Sequence, residues 1–103
     1  QERHLWIALH DGNPAAAIRL DTSEGGAAEV SIHVAPSGRG RGVGQASLRA
    51  LTAAAAPLGV TTIGAAIRHE NAASIRAFTA VGYQHAGERT VRGETVAWYV
   101  LPL

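Results

Sequence analysis

The chain has 103 residues, 47% of them hydrophobic and 17% charged, with a formal net charge of +1. That length suits one domain with a core of its own, and the apolar content excludes a disordered chain. The small net charge argues against a nucleic-acid partner, and the absence of cysteine excludes disulfides, thiolate metal sites and a cysteine nucleophile.

No apolar run is long enough to span a membrane. The opening residues Gln1-Glu2-Arg3-His4 lack signal-peptide character, so a cytoplasmic location is the expectation. The first residue is Gln, and an apolar run starts almost at once at Leu5, so upstream residues are expected to be missing.

His4 to Leu9 reads as a strand, and Asp11-Gly12-Asn13-Pro14 as a turn. Ala15 to Asp21 is the return strand, Thr22 to Gly26 a second turn, and Ala27 to Val34 a third strand. In that third strand Val30, Ile32 and Val34 share one face, and Glu29, Ser31 and His33 share the other. Pro36 ends it. A helix is expected from about Val43 to Ala56, with Leu48, Leu51 and Ala55 on its apolar stripe and Pro57 and Gly59 as its stop. Val60 to Ile67 reads as a strand. A second helix runs from near Asn71 through Val81, burying Ile75, Phe78 and Val81, with Gly82 as its cap. Tyr83 to Arg89 and Glu94 to Leu101 close the chain as a hairpin turning at Arg92-Gly93. The order β-β-β-α-β-α-β-β predicts an α+β fold. Its sheet is mixed and mostly antiparallel, with one parallel pair joined by a right-handed crossover.

Between the third strand and the first helix lies Ser37-Gly38-Arg39-Gly40-Arg41-Gly42-Val43-Gly44. Glycines bring backbone amides close to a ligand, and the helix start adds unpaired N–H donors and partial positive charge. Such a loop suits phosphate, with Arg39 and Arg41 at its rim. It is not a P-loop, because the chain has no lysine. It is not a dinucleotide loop either, because the glycine spacing differs and an antiparallel meander precedes it. The alternative is a plain glycine-rich turn with two solvated arginines.

Arg39-Gly40-Arg41-Gly42-Val43-Gly44 resembles Arg/Gln-x-x-Gly-x-Gly/Ala, the pyrophosphate motif of the GNAT superfamily of N-acetyltransferases. The lead-in Ile32-His33-Val34-Ala35-Pro36 agrees. So do Asn71-Ala72-Ala73-Ser74, Phe78 and Val81-Gly82-Tyr83, which resemble the family's Asn-x-x-Ala/Ser segment and its Gly-aromatic turn. The likeness runs from about Trp6 to Leu101 and implies a single acyl-CoA N-acyltransferase domain that begins at about the family's second strand. The strand and helices that form much of the acceptor wall are then missing.

The resemblance implies acetyl-CoA as cosubstrate and no metal. Its pyrophosphate would lie on amides of Arg41, Gly42, Val43 and Gly44, beside Arg39 and Gly40. Its pantetheine arm would pair with backbone near Ile32, His33 and Val34, and Asn71 would contact that arm or hold the strand end. Ser74 and Phe78 fall in the same segment. An amine attacking the thioester must first lose a proton. Glu29 is the first candidate base, against an ordinary solvent-facing glutamate. His33 is the second, against a hydrogen-bonded histidine. Phe78 stands where many members carry a tyrosine that protonates the leaving thiolate, so water or Ser74 would take that part. Two readings of function stay open: an N-acetyltransferase acting on a small-molecule or peptide amine, and a non-catalytic acyl-CoA-binding domain. An exposed last strand offers a route to a homodimer.

Overall fold

Asp11 and Gly12 both adopt positive φ, 53° and 80°. Two left-handed residues in succession give a turn whose twist matches a pair of antiparallel strands. They join β1 (Glu2–His10) to β2 (Asn13–Thr22) in this computed structural model, which describes residues 1–40 and 42–103. The reading at Arg41 lies outside the described residues. β3 (Ala27–Val34) continues the meander, and α1 (Val43–Ala55) crosses to β4 (Thr62–Ile67). After α2 (Ala72–Val81) come β5 (Gln84–Val91) and β6 (Glu94–Pro102). All eight elements expected from the sequence are present. β1, β2 and β6 run a little further than the apolar runs that announced them, because polar residues at the ends still pair, whereas β4 starts at Thr62, two residues later than expected.

The six strands form one sheet in the order β1-β2-β3-β4-β6-β5, in which only β3 and β4 run parallel. The last strand is therefore not at an edge. β6 carries Val96-Ala97-Trp98-Tyr99-Val100-Leu101 and takes the interior place beside β4, while polar β5 is exposed along its whole length. Burial of the apolar strand decides the order, and charged Glu88 and Arg89 then guard the outer edge. The homodimer route through an exposed last strand is corrected accordingly.

Alternation along the strands divides the sheet into two faces. Ile18 and Leu20 of β2, Ala28 and Val30 of β3, and Ile63, Ala65 and Ile67 of β4 are buried against Leu48, Leu51 and Ala55 of α1 and Phe78 of α2. This is the helix face. The opposite, open face carries Leu5 and Ile7 of β1, which are 69% and 60% exposed, then Glu29, Ser31 and His33 of β3. No helix among the described residues is long and apolar enough to cross a membrane.

Candidate functional site

β3 and β4 pair at only three positions, Ala27 with Thr62, Ala28 with Ile63 and Glu29 with Gly64. Beyond Glu29 the strands part. β3 stays paired with β2 as far as Val34, and β4 stays paired with β6 as far as Ile67, so each strand is held on its outer side only. Among the described residues the inner backbone of Val30 to Ile32 is left with unused hydrogen-bonding groups, the requirement for adding an extended ligand as a strand.

This gap opens into a cleft of about 520 Å³ on the helix face. Its walls include Ile32, His33 and Val34 of β3, then Arg39, Gly40, Gly42, Val43 and Gly44, and Asn71, Ser74 and Phe78 beside α2. Every cofactor-binding candidate among the described residues thus borders one cavity. Glu29 does not.

The start of α1 is built for an anion. Gly40 and Gly42 both have φ of 74°, where a side chain is strained, and a Cβ on either would meet nothing within 4 Å. Gly42 is the N-cap of α1 and supplies no side-chain oxygen, and the first bond of the helix runs from the Ala46 amide to the Gly42 carbonyl. The amides of Val43, Gly44 and Gln45 precede that bond and have no helical acceptor. Helix α2 differs. There the Asn71 Oδ1 accepts from the Ser74 amide at 3.2 Å, a side-chain cap. Asn71 therefore borders the cleft while holding the helix that forms its wall. Arg39 curls back, its Nε donating to the Val34 carbonyl at 3.4 Å, and so ties the loop to the end of β3.

Glu29 and His33 share the open face and are both exposed. Four residues apart on one strand, they are separated by about 13 Å. Glu29 sits where the parallel strands are still joined, whereas His33 lies beyond the parting and borders the cleft. They are alternatives, not a pair. Phe78 is 3% exposed and meets the Tyr83 ring edge-on at 4.8 Å, so it is a core aromatic that also borders the cleft. The Tyr83 hydroxyl is buried without a hydrogen-bond partner among the described residues, and burial pushes its pKa up.

Sequence reasoning missed the aromatic at the foot of the gap. The Trp98 indole lies over Gly64, whose missing side chain makes room for it. The Arg89 guanidinium carbon stands 3.5 Å from the centre of that ring. A glycine amid the apolar run Thr62-Ile63-Gly64-Ala65 was the available signal, since glycine inside a strand marks a close approach.

Family comparison agrees with this geometry: the profile of the acetyltransferase (GNAT) family matches residues 1–83. The chain belongs to the GNAT acetyltransferase family. No curated protein sequence matches it. Among solved structures, aminoglycoside acetyltransferase AAC(6')-Ib in complex with coenzyme A superposes with a TM-score of 0.85 at 20% identity, over 97% of this chain and 66% of that one. At that identity the likeness shows the fold alone. A protein provisionally assigned as a phosphinothricin N-acetyltransferase gives 0.82 at 29% identity, over 96% of this chain and 70% of that one. An N-acetyltransferase from Staphylococcus aureus Mu50 gives 0.83 at 26%, over 95% and 66%. This GNAT chain spans about two-thirds of the length of each. Its fold is the acyl-CoA N-acyltransferase fold, with the gap between β3 and β4 at its centre.

Proposed function

We propose that this GNAT domain is an acyl-CoA-dependent N-acyltransferase that moves an acetyl group from acetyl-CoA to a primary amine. The carrying observation is the parting of β3 and β4 directly above an α1 N-terminus with no side-chain cap. The residues present fit the ligand on two counts. The open space over Gly40 and Gly42 admits a pyrophosphate to the loop and α1 amides, and the unused inner backbone of β3 would pair with a pantetheine amide.

Acetyl-CoA would bring an activated acyl group as a thioester. On the protein side, a backbone N–H of β3 near His33 would hold the carbonyl oxygen as charge develops there. Glu29 would accept the proton of the attacking ammonium, directly or through water, on the open face. A nitrogen–carbon bond forms, the carbon–sulfur bond breaks, the nitrogen sheds its second proton to water, and the thiolate takes a proton from water or from Ser74. Phe78, buried and without a proton to give, has no acid role. That same fact supports a second reading, an acyl-CoA-binding domain without turnover.

Calorimetry with acetyl-CoA, dephospho-CoA and ATP tests the proposal. Saturable binding that needs the pantetheine arm is the expected result, followed by amine-dependent release of free thiol. A folded sample that binds none of the three would overturn it.

A further inference from the structure

Four side-chain positions follow one another across the open face: Glu29 on β3, Gly64 on β4, Trp98 on β6 and Arg89 on β5. Glu29 is paired with Gly64. Trp98 is paired with Ala66, but its ring reaches diagonally over Gly64, toward the joined end of the gap and so toward Glu29. Arg89 stacks on that ring. An acid, an apolar ring and a cation thus lie across four neighbouring strands, three spacings or roughly 14 Å at the backbone, which the long Glu29 and Arg89 side chains can shorten.

Arg89 has no carboxylate at ion-pair distance among the described residues, although two acids lie close by in sequence. Glu88 is held by His69 at 3.0 Å and Glu94 by Arg68 at 3.2 Å. Both acids of the last hairpin are drawn to the turn between β4 and α2. Stacking on the indole orders the guanidinium and leaves its planar fork for a ligand.

The two faces have different duties. The cleft for acetyl-CoA lies among the helices, so an amine that reaches the gap without crossing that cleft arrives from the open face. We infer that Arg89, stacked on Trp98, binds the carboxylate of the acceptor, and that the acceptor is a small amino-acid-like molecule whose ammonium faces Glu29. The inference rests on the acyltransferase reading and narrows it to one substrate class. Charge complementarity carries it: a zwitterion matches Glu29 at one end and Arg89 at the other, while an amine without a carboxylate leaves the guanidinium unanswered.

The test is calorimetric binding of a panel of amino acids, each against its own carboxamide, to the protein saturated with coenzyme A. At least one acid should bind about tenfold or more tightly than its amide. In Arg89→Ala that acid should fall to the level of its amide, with the amide and acetyl-CoA affinities unchanged, and Arg89→Lys should restore part of the difference. Amides binding as well as acids, or Arg89→Ala weakening both alike, would overturn the inference. Acetyl-CoA titrated into the same sample reads the parent proposal separately. Its failure sinks the acyltransferase reading, and the acid–amide comparison without coenzyme A still judges carboxylate binding by Arg89.

Discussion

The Trp98 ring fills the space that a Cβ on Gly64 would occupy. The two residues come from strands 34 positions apart and meet on the open face beside Glu29. Gly64→Ala should therefore cost about 1–3 kcal/mol, because the indole must lift off the sheet. Trp98→Ala removes the obstacle, so the double variant should lose less than the sum of the singles. Denaturant unfolding of the four proteins checks the cycle, and simple additivity would separate the two residues.

Gly44 offers the sharper probe of the cleft. It lies in α1 with ordinary φ, and a Cβ there would stand 3.7 Å from the Ala77 Cβ and 3.8 Å from a Val34 methyl. Gly44→Val should fold normally, since glycine is the poorer helix former, while its branches narrow the space between α1 and α2. Acetyl-CoA affinity should fall about tenfold or more. Gly42→Val is a poorer test, because the φ of 74° adds backbone strain of about 1–3 kcal/mol.

Glu29→Gln should lower the rate constant of acetyl transfer about a hundredfold or more and leave acetyl-CoA binding intact. His33→Gln should leave both the rate and acetyl-CoA binding unchanged if Glu29 is the base. The roughly 13 Å between them lets one variant answer for each. A rate lost in His33→Gln and kept in Glu29→Gln would reverse the assignment.

Asn71→Ala should cost about 1 kcal/mol through loss of the α2 cap, and Asn71→Asp or Asn71→Ser should recover most of it. Acetyl-CoA affinity that also returns with Asp or Ser would place Asn71 in the cleft as a support for α2. Affinity that stays low despite recovered stability would show a direct contact with the cofactor.

Tyr83→Phe should be neutral or stabilising by up to about 1 kcal/mol at pH 7, since the buried hydroxyl has no partner. Burial raises its folded pKa, so the native state resists ionisation while the unfolded chain loses its proton near pH 10. Stability is complete below that pH and declines above it, and the variant should lose this component of the decline. Denaturant midpoints at pH 7 and above pH 10 provide the comparison.

The sequence was most legible where local chemistry decides. Asp11-Gly12, the alternation from Val30 to Val34, the glycines before α1 and the Gly82 cap all act within a few residues. Each can be read from its neighbours, and two of them, the β3 alternation and the glycines, border the cleft. It was least legible where distant strands compete. Both strands of the last hairpin carry strand signals, and only burial against Ile63, Ala65 and Ile67 selects β6 for the interior. The stacking of Arg89 on Trp98 over Gly64 joins three strands and leaves no local trace beyond a glycine in an apolar run.

The three-position join between β3 and β4 also has a kinetic meaning. The β1-β2-β3 meander can zip from its own tight turns, whereas the first β3–β4 pairs, Ala27–Thr62 and its neighbours, require the chain between them to close a loop that contains α1. Such non-local contacts are slow to form and weak until both sides are in place. The foot of the gap is then the last seam to close as the domain folds. Truncating Ile63 should speed unfolding far more than it slows folding.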